Sequence, residues 1–177
     1  MEFFEITDKR DLIAKYENDW AKLKEMTDAL SLEVIDFVPD IKDAWSIREH
    51  IAHVMDAEIR AFIRYRNAVA DPGVALSLGG GDVDISNTLL NYSSQDVGDS
   101  LEIIRLLRNI TLKHVSPMTD GEMMRYGIQH PDFGRINLKM ILSIYTQHVD
   151  KHIEYIKRNL SLFEKRNASL DKGKAGS

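Results

Sequence analysis

Two histidines, His148 and His152, stand four residues apart in the segment YTQHVDKHIEYI, residues 145–156. On a helix this spacing places both side chains on one face, where two imidazoles can converge on a single ion. Counted at about 100° per residue, both fall on the apolar side of the helix, beside Ile141 and Ile144. Imidazoles that face a core cost desolvation energy unless each ring nitrogen finds a partner. The pair therefore indicates either hydrogen-bonded core histidines or two metal ligands that need a third donor.

A third donor is available in the segment REHIAHVMDAE, residues 48–58, at either of two positions. Helical periodicity places His50 inside the edge of the apolar arc that contains Ile51 and Val54, and it places His53 nearer the polar side. Periodicity alone therefore favours His50. A ligand at the flank of a helix can still point into a cavity between helices, so His53 remains an alternative.

Two further residues could take part in catalysis. Glu58 lies about one and a half turns beyond His53 on the apolar side of the same helix, where it could orient a histidine ligand or act as a general base. A structural salt bridge to an inward arginine explains Glu58 equally well. His130, in the segment HPDFGR, could lie near substrate at the mouth of the fold, although His-Pro before a helix is also ordinary turn chemistry.

Four helical patterns must position these residues, and no alternating strand pattern competes with them. Ser46 and Glu49 have the spacing of a capping box at the start of the second pattern, and Thr7 or Asp8 can cap the first. Four such amphipathic segments predict an all-α fold, an antiparallel four-helix bundle. The patterns cover approximately residues 8–30, 46–70, 100–114 and 137–165.

The connections between these helices are unequal in length. Residues 71–99 form a long crossover between the second and third helices, with a glycine triplet at 79–81, and could shape a lid over one end of the bundle. The sequence predicts a single domain over residues 1–166. The small and polar residues 167–177 are predicted to be a disordered C-terminal tail.

Composition limits the possible functions. At 177 residues the chain can bury a core without disulfide or metal staples, and it contains no cysteine, so a metal ion would need nitrogen or oxygen ligands. The net charge of −5 gives no reason to expect binding to nucleic acid. The first residues lack the pattern of a secretory signal, and no segment has the length of a membrane span. We therefore expect a cytoplasmic protein without a membrane partner.

The segments WSIREHIAHVMDAEIRAFIRYR (45–66) and HPDFGRINLKMILSIYTQHVDKHIEYI (130–156) resemble the DinB-like superfamily. Within it they are similar to the YfiT-type subgroup, whose members are described as metal-dependent hydrolases or bacillithiol S-transferases. The turn from His130 to Gly134 also matches this subgroup. Many members carry a histidine directly before the last ligand, where this chain has Lys151. The resemblance implies that a tryptophan opens the second helix and that three histidines bind the metal, here Trp45, His53, His148 and His152.

The resemblance also implies a function. Three imidazoles suit one divalent ion, Zn²⁺ or Ni²⁺, and leave positions open for water or substrate. The resemblance favours activation of a low-molecular-weight thiol as cosubstrate for S-transfer to an electrophile, in detoxification or stress. The alternatives are a metal-dependent hydrolase that uses a metal-bound hydroxide, and a metal-binding or stress-response protein without catalysis. Relatives of this kind often form homodimers, so a homo-oligomer is expected.

Overall fold

The computed structural model describes residues 8–76, 87–131 and 133–175, with side chains described up to residue 170. A turn of 3-10 helix, Tyr92–Ser94, lies in the crossover, and the glycine triplet at 79–81 falls outside the described residues. In chain order, the other elements are helix α1 Lys9–Thr27, short helix α2 Leu32–Ile35, helix α3 Ile47–Ala70, helix α4 Val97–Val115, short helix α5 Asp120–Arg125, strand β1 Gly127–His130, strand β2 Gly134–Asn137 and helix α6 Leu138–Ala175.

The four long helices pack as the predicted four-helix bundle. Helix α3 packs against α4 and α6, and α1 packs against the same two helices. Each helix contributes an apolar stripe to the interior, as the three- and four-residue spacing of its apolar residues requires. The interior contains two apolar clusters, one that includes Leu12, Tyr65 and Leu142 and another that includes Leu23, Ile51 and Val149.

A layer of buried charge separates these two apolar clusters. Along each of α1, α3 and α4, a buried carboxylate or guanidinium lies between residues of one cluster and residues of the other. These side chains are Asp19, Glu58 and Arg108, and each is at most 1% exposed. Buried charges are tolerated only when they are paired, so this layer must be satisfied by partners within the bundle.

The start of α3 is fixed in two ways. The predicted capping box is present: the Ser46 hydroxyl accepts from the Glu49 backbone N–H, and the Glu49 carboxylate accepts from the Ser46 N–H. The Asn159 side-chain amide, from α6, also donates to the Trp45 carbonyl at 2.7 Å. The Asn159 contact ties the start of α3, and with it the turns that carry His50 and His53, to the last helix.

The helix boundaries differ modestly from the predicted ones. Asp8 is the N-cap of α1 and accepts from the backbone N–H groups of the first turn. Helix α1 ends at Thr27, and α2 follows as a separate turn, rather than one helix continuing to residue 30. Helix α4 begins at Val97, capped by Asp96, a few residues before its predicted start.

The strands β1 and β2 were not predicted from the sequence. They form an antiparallel hairpin, whose strands of four residues each are too short to give a visible alternation of polar and apolar residues. The buried pair Ile128 and Ile136 holds the hairpin to the core. Gly127 is required there, because a Cβ would lie 2.4 Å from the Ile136 carbonyl oxygen. His130 pairs with Gly134 at the end of the hairpin, and Gly134 has a φ of +66°.

The end of the chain also differs from the prediction. Helix α6 continues to Ala175, so most of the tail predicted to be disordered from residue 167 is helical. Its sequence contains no proline that would stop the helix. Arg166 anchors this extension: its guanidinium lies over the rings of Phe37 and Phe163, and it pairs with Glu33 at 2.8 Å. The assignment of residues 1–166 to a single domain stays a prediction.

No helix in the described part of the chain is long and apolar enough to cross a membrane.

Candidate metal centre

Three histidine side chains from α3 and α6 meet between these helices. The Nε2 atom of His148 lies 3.1 Å from Nε2 of His53 and 3.2 Å from Nε2 of His152. One ring nitrogen from each histidine lies within 4.8 Å of the others. His53 and His152 are buried, and His148 is partly exposed. The structure thus brings together the three histidines named by the family resemblance.

All three imidazoles are neutral at neutral pH. Burial, together with the positive charge of Arg60, lowers the pKa of His53 to about 4. Burial likewise lowers the pKa of His148 to about 3. The pKa of His152 is lowered still further, by burial and by its histidine neighbours. Each ring therefore carries one N–H and one lone pair, which is the form that ligates metals.

Hydrogen bonds alone cannot satisfy this arrangement. The Nε2 atom of His148 faces two other Nε2 atoms, but it has either one hydrogen or one lone pair in the ring plane, so it can serve only one of them. The Nδ1 atoms of His53 and His148 are buried and have no hydrogen-bond partner among the described residues. A polar cluster left unsatisfied in this way is costly in a core.

A divalent ion held by these three histidines would remove the conflict. With metal–nitrogen distances of about 2.0–2.1 Å and tetrahedral angles, ligand nitrogens lie about 3.3–3.4 Å apart. The two Nε2 separations of 3.1 and 3.2 Å are close to that spacing. If all three lone pairs point to the ion from Nε2, each hydrogen resides on Nδ1, and no two hydrogens compete for the same space. The donor set therefore fits one borderline divalent ion such as Zn²⁺ or Ni²⁺.

His50 lies beside this group rather than in it. Its Nδ1 atom is 3.1 Å from Nδ1 of His152, on the opposite side of that ring from the three Nε2 atoms. Helical periodicity had favoured His50 as the third donor, whereas the structure brings the His53 nitrogen to the meeting point. His50, His53, His148 and His152 together are called the histidine cluster below.

Aromatic side chains enclose the histidine cluster. The Trp45 ring centre lies 5.2 Å from that of His53 and 5.6 Å from that of His50. Tyr92, in the crossover, lies 6.1 Å from His53 and donates its hydroxyl hydrogen to Asp56 at 2.6 Å. The sequence analysis missed Tyr92, because a single tyrosine in a polar loop shows no spacing that relates it to α3.

Glu58 does not reach the meeting point of the three histidines. It forms a buried ion pair with Arg108, and its other carboxylate oxygen accepts from the Tyr16 hydroxyl at 3.2 Å. The Arg108 guanidinium also donates to the Tyr16 carbonyl and lies 4.3 Å from the centre of the Tyr16 ring. The structure thus contains the inward salt bridge that the sequence analysis gave as the alternative. Tyr16, Glu58 and Arg108 are called the ion-pair cluster below.

His130 also lies apart from the histidine cluster. It ends strand β1, where its ring stacks on that of Phe133 with 4.7 Å between centres. The group of potential ligands found among the described residues does not include it. Catalytic roles for Glu58 and His130 remain predictions.

Comparison with known proteins places this bundle in a family. A sequence profile of the DinB superfamily matches residues 15–156, a span that contains every member of both clusters. The chain belongs to the DinB superfamily.

Among solved structures, the chain is similar to YfiT from Bacillus subtilis, which is described as a probable metal-dependent hydrolase with an unusual four-helix bundle topology. The two are 23% identical, the TM-score is 0.77, and the similarity covers 90% of this chain and 91% of YfiT. This likeness establishes the common fold. No curated protein matches the chain in sequence.

Proposed function

We propose that this protein is a metal-dependent enzyme whose divalent ion is held by His53, His148 and His152. One observation carries the proposal: three neutral imidazoles direct Nε2 atoms at one point in contacts that protons cannot satisfy. The similarity to YfiT supports the proposal, since that relative is described as a probable metal-dependent hydrolase.

The three-histidine set is typical of a catalytic rather than a structural site. Structural zinc sites use four protein ligands, whereas three leave room for a substrate or water. An ion held there would lower the pKa of a coordinated thiol or water and so supply a nucleophile at neutral pH. His148 is partly exposed, and the rings of Trp45 and Tyr92 lie beside His53.

The particular reaction we propose is S-transfer from a low-molecular-weight thiol to an electrophile. The chain contains no cysteine, so the attacking sulfur must come from a diffusing cosubstrate. The sulfur forms a bond to the electrophilic carbon, the leaving group departs with its bonding electron pair, and the thiol proton passes to solvent. The neutral histidines remain metal ligands and do not move protons.

Hydrolysis is the second candidate, and the description of YfiT favours it. In that reaction water replaces the thiol as nucleophile, and the protein residues keep the same roles. The two reactions differ in one requirement, because only S-transfer needs an added thiol.

The experiment uses the full chain, purified without a metal-binding tag and loaded with Zn²⁺ or Ni²⁺. Activity is measured on an aryl halide with and without thiols of several classes, and on aryl and alkyl esters without thiol. S-transfer predicts thiol-dependent turnover of the halide above the spontaneous rate, and hydrolysis predicts ester turnover without thiol. Either activity should disappear in His148→Ala and persist in His114→Ala, because His114 lies at the end of α4 against Tyr65, outside the histidine cluster.

Three results would contradict the proposal. Activity that survives in His148→Ala would be independent of the site. A wild-type chain that takes up no ion would leave the histidines structural. An ion bound tightly without any turnover would favour the non-catalytic metal-binding protein. The cosubstrate, the electrophile, the homodimer and the cytoplasmic location stay predictions.

A further inference from the structure

The fourth histidine of the cluster has a role that the three-ligand site does not explain. We infer that His50 is a positioning residue that accepts a hydrogen bond from Nδ1 of His152 and so fixes the tautomer and ring orientation of that ligand. This inference rests on the proposed metal site. It concerns the contact between Nδ1 of His50 and Nδ1 of His152.

The His152 ring lies between two nitrogen atoms. Its Nε2 faces Nε2 of His148 at 3.2 Å, and its Nδ1 faces Nδ1 of His50 at 3.1 Å. His50 and His152 come from different helices, α3 and α6, and both are at most 5% exposed. The contact therefore bridges the two helices that carry the metal ligands, at a place where water has little access.

Proton counting gives this contact a direction. A neutral imidazole has one N–H and one lone pair. If the lone pair at Nε2 of His152 is directed to the ion, the hydrogen must lie on Nδ1, where it can only donate. The facing Nδ1 of His50 must then present its lone pair, which places the His50 hydrogen on Nε2. In the other tautomer of His152, the lone pair would point to His50 and be lost to the metal.

Packing holds the His50 ring in the required orientation. Its ring stacks on Tyr155 at 5.3 Å and an interplanar angle of 23°, and Trp45 covers it from another side. Burial, together with the positive charge of Arg158, lowers the pKa of His50 to about 3.

Stability alone does not account for a histidine at this position. The Nε2 atom of His50 is buried and has no hydrogen-bond partner among the described residues. An unsatisfied buried donor destabilises a fold, whereas an apolar side chain of similar size would avoid that loss. The contact with His152 is thus the only hydrogen bond found for the His50 ring among these residues. Orientation of the ligand His152 explains why a histidine stands at this position, whereas packing alone does not.

His152 differs from the other two proposed ligands because its Nδ1 atom has a hydrogen-bond partner. The Nδ1 atoms of His53 and His148 have no partner among the described residues, whereas Nδ1 of His152 has His50. Groups that orient histidine ligands in this way raise the affinity of a site for its metal, and their loss costs about 10–100-fold. We expect an effect in that range.

The test compares two substitutions at one position. His50→Leu removes the acceptor and keeps an apolar side chain of similar size. His50→Asn retains an acceptor, because its Oδ1 atom can occupy the place of Nδ1. Zn²⁺ affinity of each full-length variant is measured by competition with a chromophoric chelator, beside wild type, His148→Ala and His114→Ala. We expect affinity to fall about 10–100-fold in His50→Leu, and to stay close to wild type in His50→Asn and His114→Ala.

A second measurement does not depend on the variants. Nitrogen-15 NMR of the Zn²⁺-loaded wild-type protein, labelled at histidine, reports which ring nitrogen of His152 carries the hydrogen. The inference requires the hydrogen on Nδ1 and the metal on Nε2. The reverse assignment would overturn it even if His50→Leu failed to fold.

The outcomes separate this inference from the proposed function. If wild type binds Zn²⁺ and His148→Ala does not, the metal site stands. An unchanged affinity in His50→Leu would then overturn the role of His50 alone. If His50→Leu and His50→Asn both lost binding as completely as His148→Ala, His50 would be a ligand, which also overturns the inference. Failure of the wild type to bind Zn²⁺ would remove the proposed function itself.

Discussion

The bundle contains two buried polar clusters that differ in how well their own residues satisfy each other's charges and hydrogen-bonding groups. In the ion-pair cluster, the carboxylate of Glu58 meets the guanidinium of Arg108, and Tyr16 supplies both a hydroxyl donor and a carbonyl acceptor. In the histidine cluster, nitrogen atoms face nitrogen atoms, and two Nδ1 atoms have no partner among the described residues. In the first cluster each residue has a partner of opposite charge or polarity, and of its side-chain atoms only Nε of Arg108 is without one among the described residues. In the second cluster the nitrogen atoms form a donor set that fits a divalent ion. A buried polar group therefore indicates a site only when its neighbours fail to satisfy it.

The largest expected effect is on metal binding. Zinc sites in proteins bind Zn²⁺ with apparent free energies on the order of 10 kcal/mol. Removal of one of the three histidine ligands should abolish most of this binding free energy. In wild type, Zn²⁺ at about one hundred times its Kd should raise Tm by roughly 5–10 °C. Thermal denaturation should show this rise in Tyr16→Phe and no rise in His148→Ala. Equal rises in the two variants would erase the distinction between the clusters.

Acid should next destabilise the metal-free protein through the histidine cluster. The four pKa values are lowered from 6.5 in the unfolded chain, to about 4 for His53 and about 3 for His50 and His148, with His152 lower still. Below pH 6.5 the unfolded chain therefore binds more protons than the folded one, and the free energy of unfolding falls as the pH is lowered. The fall ends at about pH 4 for the His53 contribution and at lower pH for the other three histidines. Between pH 7.5 and 5.5 the loss is up to about 1.4 kcal/mol per histidine, or up to about 5 kcal/mol for four.

Urea unfolding of the metal-free protein at pH 7.5, 6.5 and 5.5 measures this dependence. His50→Leu is the matched variant, because it removes one of the four groups and should reduce the loss by about one quarter. A free energy of unfolding that does not change between pH 7.5 and 5.5 would show that the histidines are not buried in neutral form.

The ion-pair cluster should respond to single and double substitutions in opposite ways. Arg108→Met leaves the Glu58 carboxylate buried without its cation and should cost about 3–5 kcal/mol of the free energy of unfolding. The double variant Glu58→Leu/Arg108→Met removes both charges and should recover most of that loss. Urea unfolding measures both. A double variant that is less stable than Arg108→Met would show that the pair itself stabilises the fold.

The same double variant examines the role predicted for Glu58 in catalysis. If Glu58 belongs only to the ion-pair cluster, the folded double variant should retain its Zn²⁺ affinity and most of its activity. Loss of kcat with unchanged metal affinity would instead support Glu58 as a general base.

The smallest expected effect comes from Tyr16→Phe. This change removes the hydroxyl that donates to Glu58 at 3.2 Å but keeps the ring beneath Arg108. Loss of a hydrogen bond to a buried charged group should cost about 1–3 kcal/mol. Urea unfolding measures the loss, and the chelator competition should give unchanged Zn²⁺ affinity. A change in affinity would indicate that the two clusters are coupled through α3.

Local sequence determined much of the fold. The spacing of apolar residues predicted the four long helices, and the Ser46 and Glu49 capping box is formed as expected. The His148 and His152 pair could be placed on one inward face because helical geometry relates residues four apart directly. The hairpin was missed because its strands are too short to show a period, and the end of α6 was missed because polar composition was taken to indicate a disordered tail.

Only tertiary structure decided between His50 and His53. Both lie near the edge of the apolar arc of α3, and the choice depends on how α3 is rotated against α6, a rotation set by contacts such as that of Asn159 with Trp45. The partner of Glu58 was equally inaccessible, since Arg108 is 50 residues away in the chain. The sequence by itself determined which faces point inward, because that follows from periodicity within one helix. Which inward groups meet is determined by packing between helices, and that packing distinguishes the two clusters.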